Sequence, residues 1–320
     1  MKKIGVLTSG GDAPGMNAAV RSVVRTALSL GIEVIGVRHG YMGLINGEFE
    51  TFTERSVSDI IHRGGTFLYT ARCPEFKTED GINKAIENCR KIGIEGIVVI
   101  GGDGSFRGAR DLSLRGLPCV GVPATIDNDI ASTDYAIGFD TAMNTVVEMV
   151  DKIRDTMQSH ARCSVVEVMG RNAGDLALQA GIAVGATSIL VPEVESDLND
   201  VCKKMKLAIE NGKHHFIIVV AEGYKTPVSE IAKYLEEQTG VESRATILGH
   251  VQRGGNPTVR DRVVSSFLAN EAVNLLNKNI GNRVVCYRNS EIVDFDIFEA
   301  LNMSRKFDEE SYKLADILSI

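Results

Sequence analysis

Two short segments place carboxylates in patterns that suit phosphate chemistry. The first follows four consecutive β-branched residues, 97–100, and reads GGDGS over residues 101–105. Its glycines let backbone amides approach a phosphate closely, and Asp103 offers the hard oxygen that magnesium prefers. The second reads TIDND over residues 125–129, so Asp127 and Asp129 point the same way on an extended segment. One of these two can face a metal while the other accepts a proton, although a solvated turn is the alternative for each segment.

A third segment, TSGGDAPG over residues 8–15, follows a predicted strand and precedes a predicted helix. Gly10 and Gly15 have the spacing of a Walker phosphate loop, but Met16 stands where that motif requires lysine. Backbone amides and a helix N-terminus still suit a phosphate here, with Gly11 at the closest approach. The GGDGS segment, in turn, does not match the dinucleotide-binding fingerprint G-x-G-x-x-G. Gly102 and Gly104 fit its first two glycines, but Arg107 stands at the position of the third.

The longest irregular stretch of the first half, residues 56–77, carries Arg72 beside a proline-stiffened turn. Loops often carry binding residues, and a guanidinium can clamp a phosphate through paired hydrogen bonds. Arg72 is either such a clamp opposite Gly11 or an ordinary solvated arginine, and these residues alone leave both interpretations open.

Short apolar runs alternate with helical patterns along the chain, which predicts an α/β protein with parallel sheets. The predicted strands are residues 4–7, 33–37, 97–100, 119–122, 163–167, 189–191, 216–220, 245–248 and 284–287. The predicted helices are residues 16–30, 78–93, 105–115, 140–157, 174–185, 198–211 and 261–277. A terminal amphipathic helix is expected at 306–320, with Leu314, Ile317 and Leu318 turned inward. Ligands of such sheets bind at the carboxyl ends of the strands, so we expect a cleft between two domains.

Composition excludes several classes of protein. A chain of 320 residues can form about two domains with sizeable cores. Its net charge of -7 argues against nucleic acid or an anionic membrane as a partner. No apolar run approaches the roughly 20 residues of a membrane span, and the first residues lack the apolar stretch of a signal peptide. Six cysteines without a Cys-x-x-Cys pair favour reduced thiols, and therefore a cytoplasmic location.

Five segments together resemble the signature segments of bacterial ATP-dependent 6-phosphofructokinases. They read LTSGGDAPGMN at 7–17, GGDGS at 101–105, TIDND at 125–129, MGR at 169–171 and HVQRGG at 250–255. Their order and spacing are similar to the family's over essentially the whole chain. A GGDG turn alone also occurs in NAD kinases, but that alternative leaves the paired acids and the arginines unexplained. A sugar-phosphate sensor without turnover is the alternative outside the enzymes.

The resemblance implies that ATP, with Mg2+ as cofactor, phosphorylates the 1-hydroxyl of fructose 6-phosphate, the committed step of glycolysis. The implied catalytic residues are Asp127, Arg72, Arg171 and Thr125, and the implied metal ligands are Asp103 and Asp129. ATP would bind Gly11, Tyr41, Arg72, Cys73, Gly102, Asp103, Gly104 and Ser105. The sugar phosphate would bind Thr125, Asp127, Arg162, Met169, Gly170, Arg171, Glu222, Arg244, His250 and Arg253. Arg162 and Arg244 would come from a neighbouring subunit of a homotetramer.

We expect two Rossmann-like three-layer domains with mostly parallel sheets and the active-site cleft between them. Residues 1–138 with 251–305 would form the ATP-binding domain, and 139–250 with 306–320 the sugar-phosphate-binding domain. Pyrophosphate-using relatives have an acid after the metal-binding aspartate and a lysine before the threonine, whereas this chain has Gly104 and Ala124. The space left at these two positions makes ATP the expected donor.

A set of basic residues resembles the family's effector site for ADP or phosphoenolpyruvate. It comprises Arg21, Arg25, Arg154, Lys213 and His215, and a solvated helix face is the alternative for the first two. Glu54, Thr187 and Asn211 stand where regulated members carry an arginine, a glutamate and another basic residue. Glu54 would repel a phosphate, so we expect weakened or altered allosteric control.

Overall fold

The computed structural model describes residues 1–319 and contains eleven strands and eleven α-helices in that range. The strands are β1 (Lys3–Thr8), β2 (Glu33–Val37), β3 (Phe49–Phe52), β4 (Gly96–Gly101), β5 (Cys119–Pro123), β6 (Cys163–Val168), β7 (Ser188–Leu190), β8 (Phe216–Ala221), β9 (Ser243–Ile247), β10 (Arg283–Arg288) and β11 (Glu291–Asp296). The helices are α1 (Met16–Ser29), α2 (Gly40–Asn46), α3 (Glu79–Lys91), α4 (Asp103–Ser113), α5 (Phe139–His160), α6 (Asp175–Ala183), α7 (Leu198–Glu210), α8 (Val228–Thr239), α9 (Val259–Asn277), α10 (Ile297–Asn302) and α11 (Glu309–Leu318). None of these helices is long and apolar enough to cross a membrane.

The first compact unit comprises Met1–Thr125, Ile130–Asp140 and Arg253–Arg305. Its strands lie in the order β11-β10-β5-β4-β1-β2-β3. The five inner strands are parallel to one another, and each edge strand is antiparallel to its neighbour. The inner strands are unbroken apolar runs because helices cover both faces of the sheet. Helices α2, α3 and α4 pack on one face, and α1 and α9 pack on the other.

The second compact unit comprises Ile126–Asp129, Thr141–Gln252 and the chain from Lys306 onward. Its four parallel strands lie in the order β7-β8-β6-β9. Alternate side chains of β6 point to opposite faces, where α5 and α6 cover one side and α7 and α8 the other. The predicted α/β class with mostly parallel sheets is therefore confirmed.

The boundaries of the compact units differ from those expected from sequence. The chain passes from the first unit to the second after Asp140, two residues later than expected, and returns at Arg253. The short segment 126–129 groups with the second unit although residues 119–125 belong to the first. Asp127 and Asp129 consequently belong to the unit that also carries Arg171.

Five elements were not predicted, namely α2, β3, α8, β11 and α10. The two strands among them are antiparallel edge strands whose polar residues interrupt any apolar run. Helix α8 did have local signals, because Pro227 immediately precedes it and Gly240 follows it in a left-handed conformation with φ 73°. Together with the amphipathic periodicity of 228–239, these two residues indicate a helix.

The prediction for the buried face of the terminal helix was wrong. Leu314, Ile317 and Leu318 are 47%, 69% and 60% exposed. The inner face of α11 instead presents Tyr312 and Ala315, which pack against the core beside α6. The Tyr312 hydroxyl also donates to a buried backbone carbonyl of β7 at 3.1 Å, so a polar contact helps to orient the helix. Ile320, which the prediction included, lies outside the described residues.

Candidate active site

The carboxyl end of β4 leads into a turn with open space on its outer side. Helix α4 begins at Asp103, and the amide of Ser105 bonds back to the Gly102 carbonyl at 2.9 Å. A Cβ atom added at Gly102 or Gly104 would meet no other atom within 4 Å. The N-terminus of this helix is therefore accessible to a ligand, as binding of an anion requires.

The glycine-rich loop after β1 lies next to this turn. Its Ser9 amide donates to the Ile100 carbonyl at the end of β4, with N and O 2.9 Å apart. Gly10 has φ 88°, a conformation that residues with a side chain rarely adopt. The Arg253 guanidinium lies against Gly11, as shown by the distance of 3.4 Å from its Cζ to a Cβ added at Gly11. The loop thus has a backbone that a ligand can approach closely and a positive charge beside it.

Arg72 lies in an irregular segment that is tied to the same loop. The Thr70 hydroxyl donates to the Gly10 carbonyl at 2.8 Å. Arg72 itself is exposed and forms no hydrogen bond or ion pair with the residues that the structure describes, whereas the neighbouring Cys73 packs against the core. The guanidinium of Arg72 is therefore available to a ligand.

Tyr41 is buried beneath the turn at the start of α4. Its hydroxyl donates to the Ser105 carbonyl, and its ring stacks on Phe76 with the centroids 4.2 Å apart. A Cβ added at Gly108 would be 2.5 Å from this ring, so α4 can pack against Tyr41 only because residue 108 has no side chain. Burial raises the pKa of Tyr41 well above its usual value, which keeps the hydroxyl a neutral donor. Tyr41 thus supports the backbone of the turn.

A buried carboxylate and an exposed arginine meet in the second unit. Asp127 is only 3% exposed, and its Oδ2 lies 3.4 Å from Nε of Arg171. The same guanidinium reaches Asp129, with Nη1 and Oδ2 3.8 Å apart. Both carboxylates therefore lie on the same side of their segment, as their spacing predicts. The Arg171 side chain is 63% exposed, so one end of this charge cluster faces solvent.

The backbone around Arg171 is held in place by the turn that follows β8. The Arg171 amide donates to Oε1 of Glu222 at 2.7 Å, and Arg171 itself has a left-handed φ of 53°. A Cβ added at Gly223 would be 2.3 Å from the Arg171 carbonyl oxygen. Gly170, with φ 139°, permits the sharp reversal just before it. An unfavourable conformation at Arg171 is thus maintained by tight surroundings, a common feature of binding sites.

Gln252 connects the ends of β6 and β9 and was not predicted as a site residue. Its fully buried side chain accepts a hydrogen bond from the Met169 amide at 3.1 Å and donates one to the Gly249 carbonyl at 2.9 Å. The adjacent His250 is exposed. The sequence marks Gln252 only as part of the HVQRGG segment, and its role is to satisfy buried backbone groups.

Glu167, near the end of β6, is a second residue that sequence reasoning missed. Burial raises the pKa of Glu167, and the nearby charge of Glu222 raises it further. The available signal was a single carboxylate in an otherwise apolar strand, CSVVEV. Glu167 thus places additional negative charge near the Glu222 carboxylate that holds the Arg171 loop.

Arg162 and Arg244 lie at the opposite end of the same sheet. Nε of Arg162 donates to the Glu242 carboxylate at 2.6 Å, and Arg244 donates to the other oxygen of that carboxylate. These bonds, that of Arg162 most strongly, lower the pKa of Glu242. Arg162 directly precedes β6 whereas Arg171 follows it, and six residues at about 3.3 Å each separate the two ends by about 20 Å. The two arginines therefore lie far from the Asp127 carboxylate of their own unit.

Three basic side chains cluster elsewhere in the second unit. Arg154 donates to the Val184 carbonyl, and its charge adds to burial in lowering the pKa of Lys213. Burial also lowers the pKa of His215, and the charges of Arg154 and Lys213 lower it further. These positive groups repel one another, and an anion bound between them would relieve that repulsion.

The remaining predicted effector residues lie on α1 in the first unit. Arg21 and Arg25 are four residues apart and on the same side of the helix. Arg25 donates to the Glu54 carbonyl at 3.0 Å. Its guanidinium therefore lies close to Glu54, the acid that stands where an arginine is expected.

Known proteins that resemble this chain agree on one family. The phosphofructokinase family model matches residues 3–276. An ATP-dependent 6-phosphofructokinase of Clostridium tetani is 57% identical over 319 residues, and one of Bacillus cytotoxicus is 58% identical over 320, each alignment covering 100% of both chains. The solved phosphofructokinase of Saccharomyces cerevisiae superimposes with a TM-score of 0.90 at 33% identity. That alignment covers 100% of this chain but only 48% of the yeast chain.

Proposed function

The chain belongs to the phosphofructokinase family, and from that premise we propose how its residues phosphorylate fructose 6-phosphate. The enzyme is a phosphotransferase that moves the γ-phosphoryl group of ATP to the 1-hydroxyl of the sugar, which yields fructose 1,6-bisphosphate. The assignment of residues is carried by one observation, the buried carboxylate of Asp127 against the exposed guanidinium of Arg171. A fixed carboxylate suits acceptance of a proton from an alcohol.

Asp127 acts as the general base in this proposal. An alcohol is a far weaker acid than a carboxylic acid, so Asp127 accepts the hydroxyl proton only late, as the new O–P bond forms and the bond to ADP breaks. The transition state is loose, and the main requirement is therefore to stabilise charge on the moving phosphoryl group. Arg171 and Arg72 have exposed guanidiniums that can do so, and Thr125 would position the sugar.

The nucleotide would bind the accessible turn and loop of the first unit. The residues proposed to hold it are Gly11, Tyr41, Arg72, Cys73, Gly102, Asp103, Gly104 and Ser105. Two observations support this set, namely the open space at Gly102 and Gly104 and the tie between the two glycine-rich segments. Tyr41 would contribute by fixing the Ser105 carbonyl.

Magnesium would be held by Asp103, with Asp129 as the second proposed ligand. Within residues 1–319 no three His, Cys, Asp or Glu side chains come together as a metal site. Magnesium commonly binds one or two carboxylates together with substrate phosphates and water, so two aspartates would suffice. When bound, the ion would neutralise charge on the phosphates, and Asp103 and Asp129 supply the hard oxygens that it needs.

The sugar phosphate would contact residues that follow strands of the second sheet, together with two residues of the 125–127 segment and Arg253. From this chain these are Thr125, Asp127, Met169, Gly170, Arg171, Glu222, His250 and Arg253. Arg162 and Arg244 would serve the site of a neighbouring copy, because they lie about 20 Å from the Arg171 end of β6. We therefore infer a homo-oligomer with shared sites, expected to be a tetramer.

An effector anion, ADP or phosphoenolpyruvate, would bind the basic cluster of Arg154, Lys213 and His215. Arg21 and Arg25 of a neighbouring copy would complete it, with control weakened or altered by Glu54, Thr187 and Asn211. The clustering of three positive groups supports the anion site. Free thiols at all six cysteines support a reducing, and therefore cytoplasmic, setting.

A coupled assay for fructose 1,6-bisphosphate tests the reaction and the donor together. We expect turnover with ATP and Mg2+ and none with pyrophosphate, because Gly104 and Ala124 leave room for a nucleotide. Turnover with pyrophosphate alone would contradict the donor assignment. Binding of fructose 6-phosphate without turnover under both conditions would instead support a sensor.

A further inference from the structure

The first turn of α4 carries an ion pair that the proposed mechanism does not use. Nε and Nη2 of Arg107 each lie 3.0 Å from Oδ2 of Asp103. The two residues are four positions apart on the helix, and their side chains are 54% and 42% exposed. The guanidinium therefore occupies one oxygen of the carboxylate proposed above as a magnesium ligand.

We propose that Arg107 is a built-in counter-cation of Asp103 that competes with magnesium for this carboxylate. The inference rests on the proposed function, since it presumes that Asp103 is a metal ligand. The guanidinium and a bound magnesium ion would both draw on the charge of this carboxylate, and two cations close to it repel each other. Binding of the metal is consequently favoured when the Asp103–Arg107 pair separates.

The surroundings allow that separation. More than half of the Arg107 side chain is exposed, so it can rotate into solvent without leaving a cavity in the core. The space beside Gly104 is open as well, since a Cβ added there would meet no atom within 4 Å. The helix backbone need not move when the ion pair breaks.

The size of the effect is limited by the strength of an exposed ion pair. Pairs of this kind contribute at most about 1 kcal/mol, which corresponds to a change in affinity of up to about fivefold. Salt screens such pairs, so the competition should weaken as ionic strength rises. Arg107 would thus influence the magnesium concentration that the enzyme needs, but it would not be essential for activity.

The same helix supplies a matched control. Arg110 lies three residues further along α4 and pairs with Asp111 at 2.8 Å, away from Asp103. Arg107→Gln and Arg110→Gln make the same chemical change and the same change in net charge, and glutamine preserves helix propensity. Only the first variant removes the partner of Asp103.

The test is binding of Mn2+, as a paramagnetic substitute for Mg2+, measured by electron paramagnetic resonance on the enzyme saturated with a non-hydrolysable ATP analogue. We expect Arg107→Gln to lower the half-saturating Mn2+ concentration about two- to fivefold at low salt, with the difference shrinking at high salt. Arg110→Gln should match the wild type. Unchanged or weaker Mn2+ binding in Arg107→Gln, or equal tightening in Arg110→Gln, would overturn the inference.

Asp103→Asn separates this inference from the proposed function. If it weakens Mn2+ binding while Arg107→Gln has no effect, the metal assignment stands and only the competition fails. If Asp103→Asn leaves Mn2+ binding unchanged, both fail together.

Discussion

Arg171 contacts both Asp127 and Asp129, and the three side chains differ in exposure. The Asp127 side chain is 4% exposed, that of Asp129 is 26% exposed and that of Arg171 is 63% exposed. A buried carboxylate keeps a fixed position, which general-base catalysis requires, whereas an exposed guanidinium can follow the charge of a ligand. The difference in exposure thus supports different roles within one cluster.

His215 allows a prediction about pH. An anion bound beside it would offset the charges of Arg154 and Lys213 and raise its pKa, so that binding takes up a proton. By linkage, phosphoenolpyruvate should then bind more tightly as the pH falls from about 8 to about 6. We expect the ratio of the Kd of His215→Gln to that of the wild type to increase toward low pH in calorimetric titrations.

Taking this ratio cancels the ionisation of phosphoenolpyruvate itself, because both proteins bind the same ligand. A ratio that is constant across the pH range would contradict a role for His215 in anion binding.

At the scale of elements, the strand ends of the second sheet depend on Gln252. Gln252→Leu would remove the hydrogen-bond partner of the buried Met169 amide and of the partly buried Gly249 carbonyl. Each such group costs about 1–3 kcal/mol, so we expect a clearly lower midpoint of urea unfolding. The neighbouring Val251→Ala is the control, since Val251 is 54% exposed and surface changes of this kind alter stability by less than about 0.5 kcal/mol. Equal midpoints for the two variants would show that these hydrogen bonds do not stabilise the fold.

The inner strands and the longer helices could be predicted because their signals are local. Strand β2 was predicted with the observed bounds Glu33–Val37, since it is a short apolar run between a glycine turn and a further loop. Edge strands such as β3 were missed because their pairing partner, not their composition, determines them. The buried face of α11 was misjudged because Tyr312 is oriented by a hydrogen bond to a distant carbonyl.

In the candidate site, too, residues with local sequence signals could be predicted, whereas residues defined by distant contacts could not. Asp127, Asp129 and Arg171 could be proposed because their residue types and motif spacing suit phosphoryl transfer, and the structure brings their side chains together. Gln252, Glu167 and the Asp103–Arg107 pair could not be assigned, since their contacts depend on burial and side-chain orientation. Gly223 likewise gains its importance only from the Arg171 carbonyl packed against it.

At the scale of the whole molecule, the location of Arg162 and Arg244 predicts complementation between copies. In the proposed arrangement, Asp127→Asn chains would lack the base, and Arg244→Ala chains would lack an arginine that serves a neighbouring copy. Refolding the two variants together should create sites with an intact Asp127 from one chain and an intact Arg244 from the other. We expect up to one functional site of every two in each mixed pair.

Activity of the co-refolded mixture is compared with that of the two variants refolded separately and then combined. Activity no greater than the sum of the separate variants would argue that each chain completes its own site.

The proposed role of Asp127 as the general base is tested by the steady-state kinetics of Asp127→Asn. Loss of a positioned base typically lowers turnover about 10²–10⁴-fold, and we expect a decrease in kcat of that order. Binding of fructose 6-phosphate, measured directly, should stay within about threefold of the wild type, and Asp155→Asn on the exposed side of α5 should be unchanged. A near-normal kcat, or a loss confined to sugar binding, would contradict this role of Asp127.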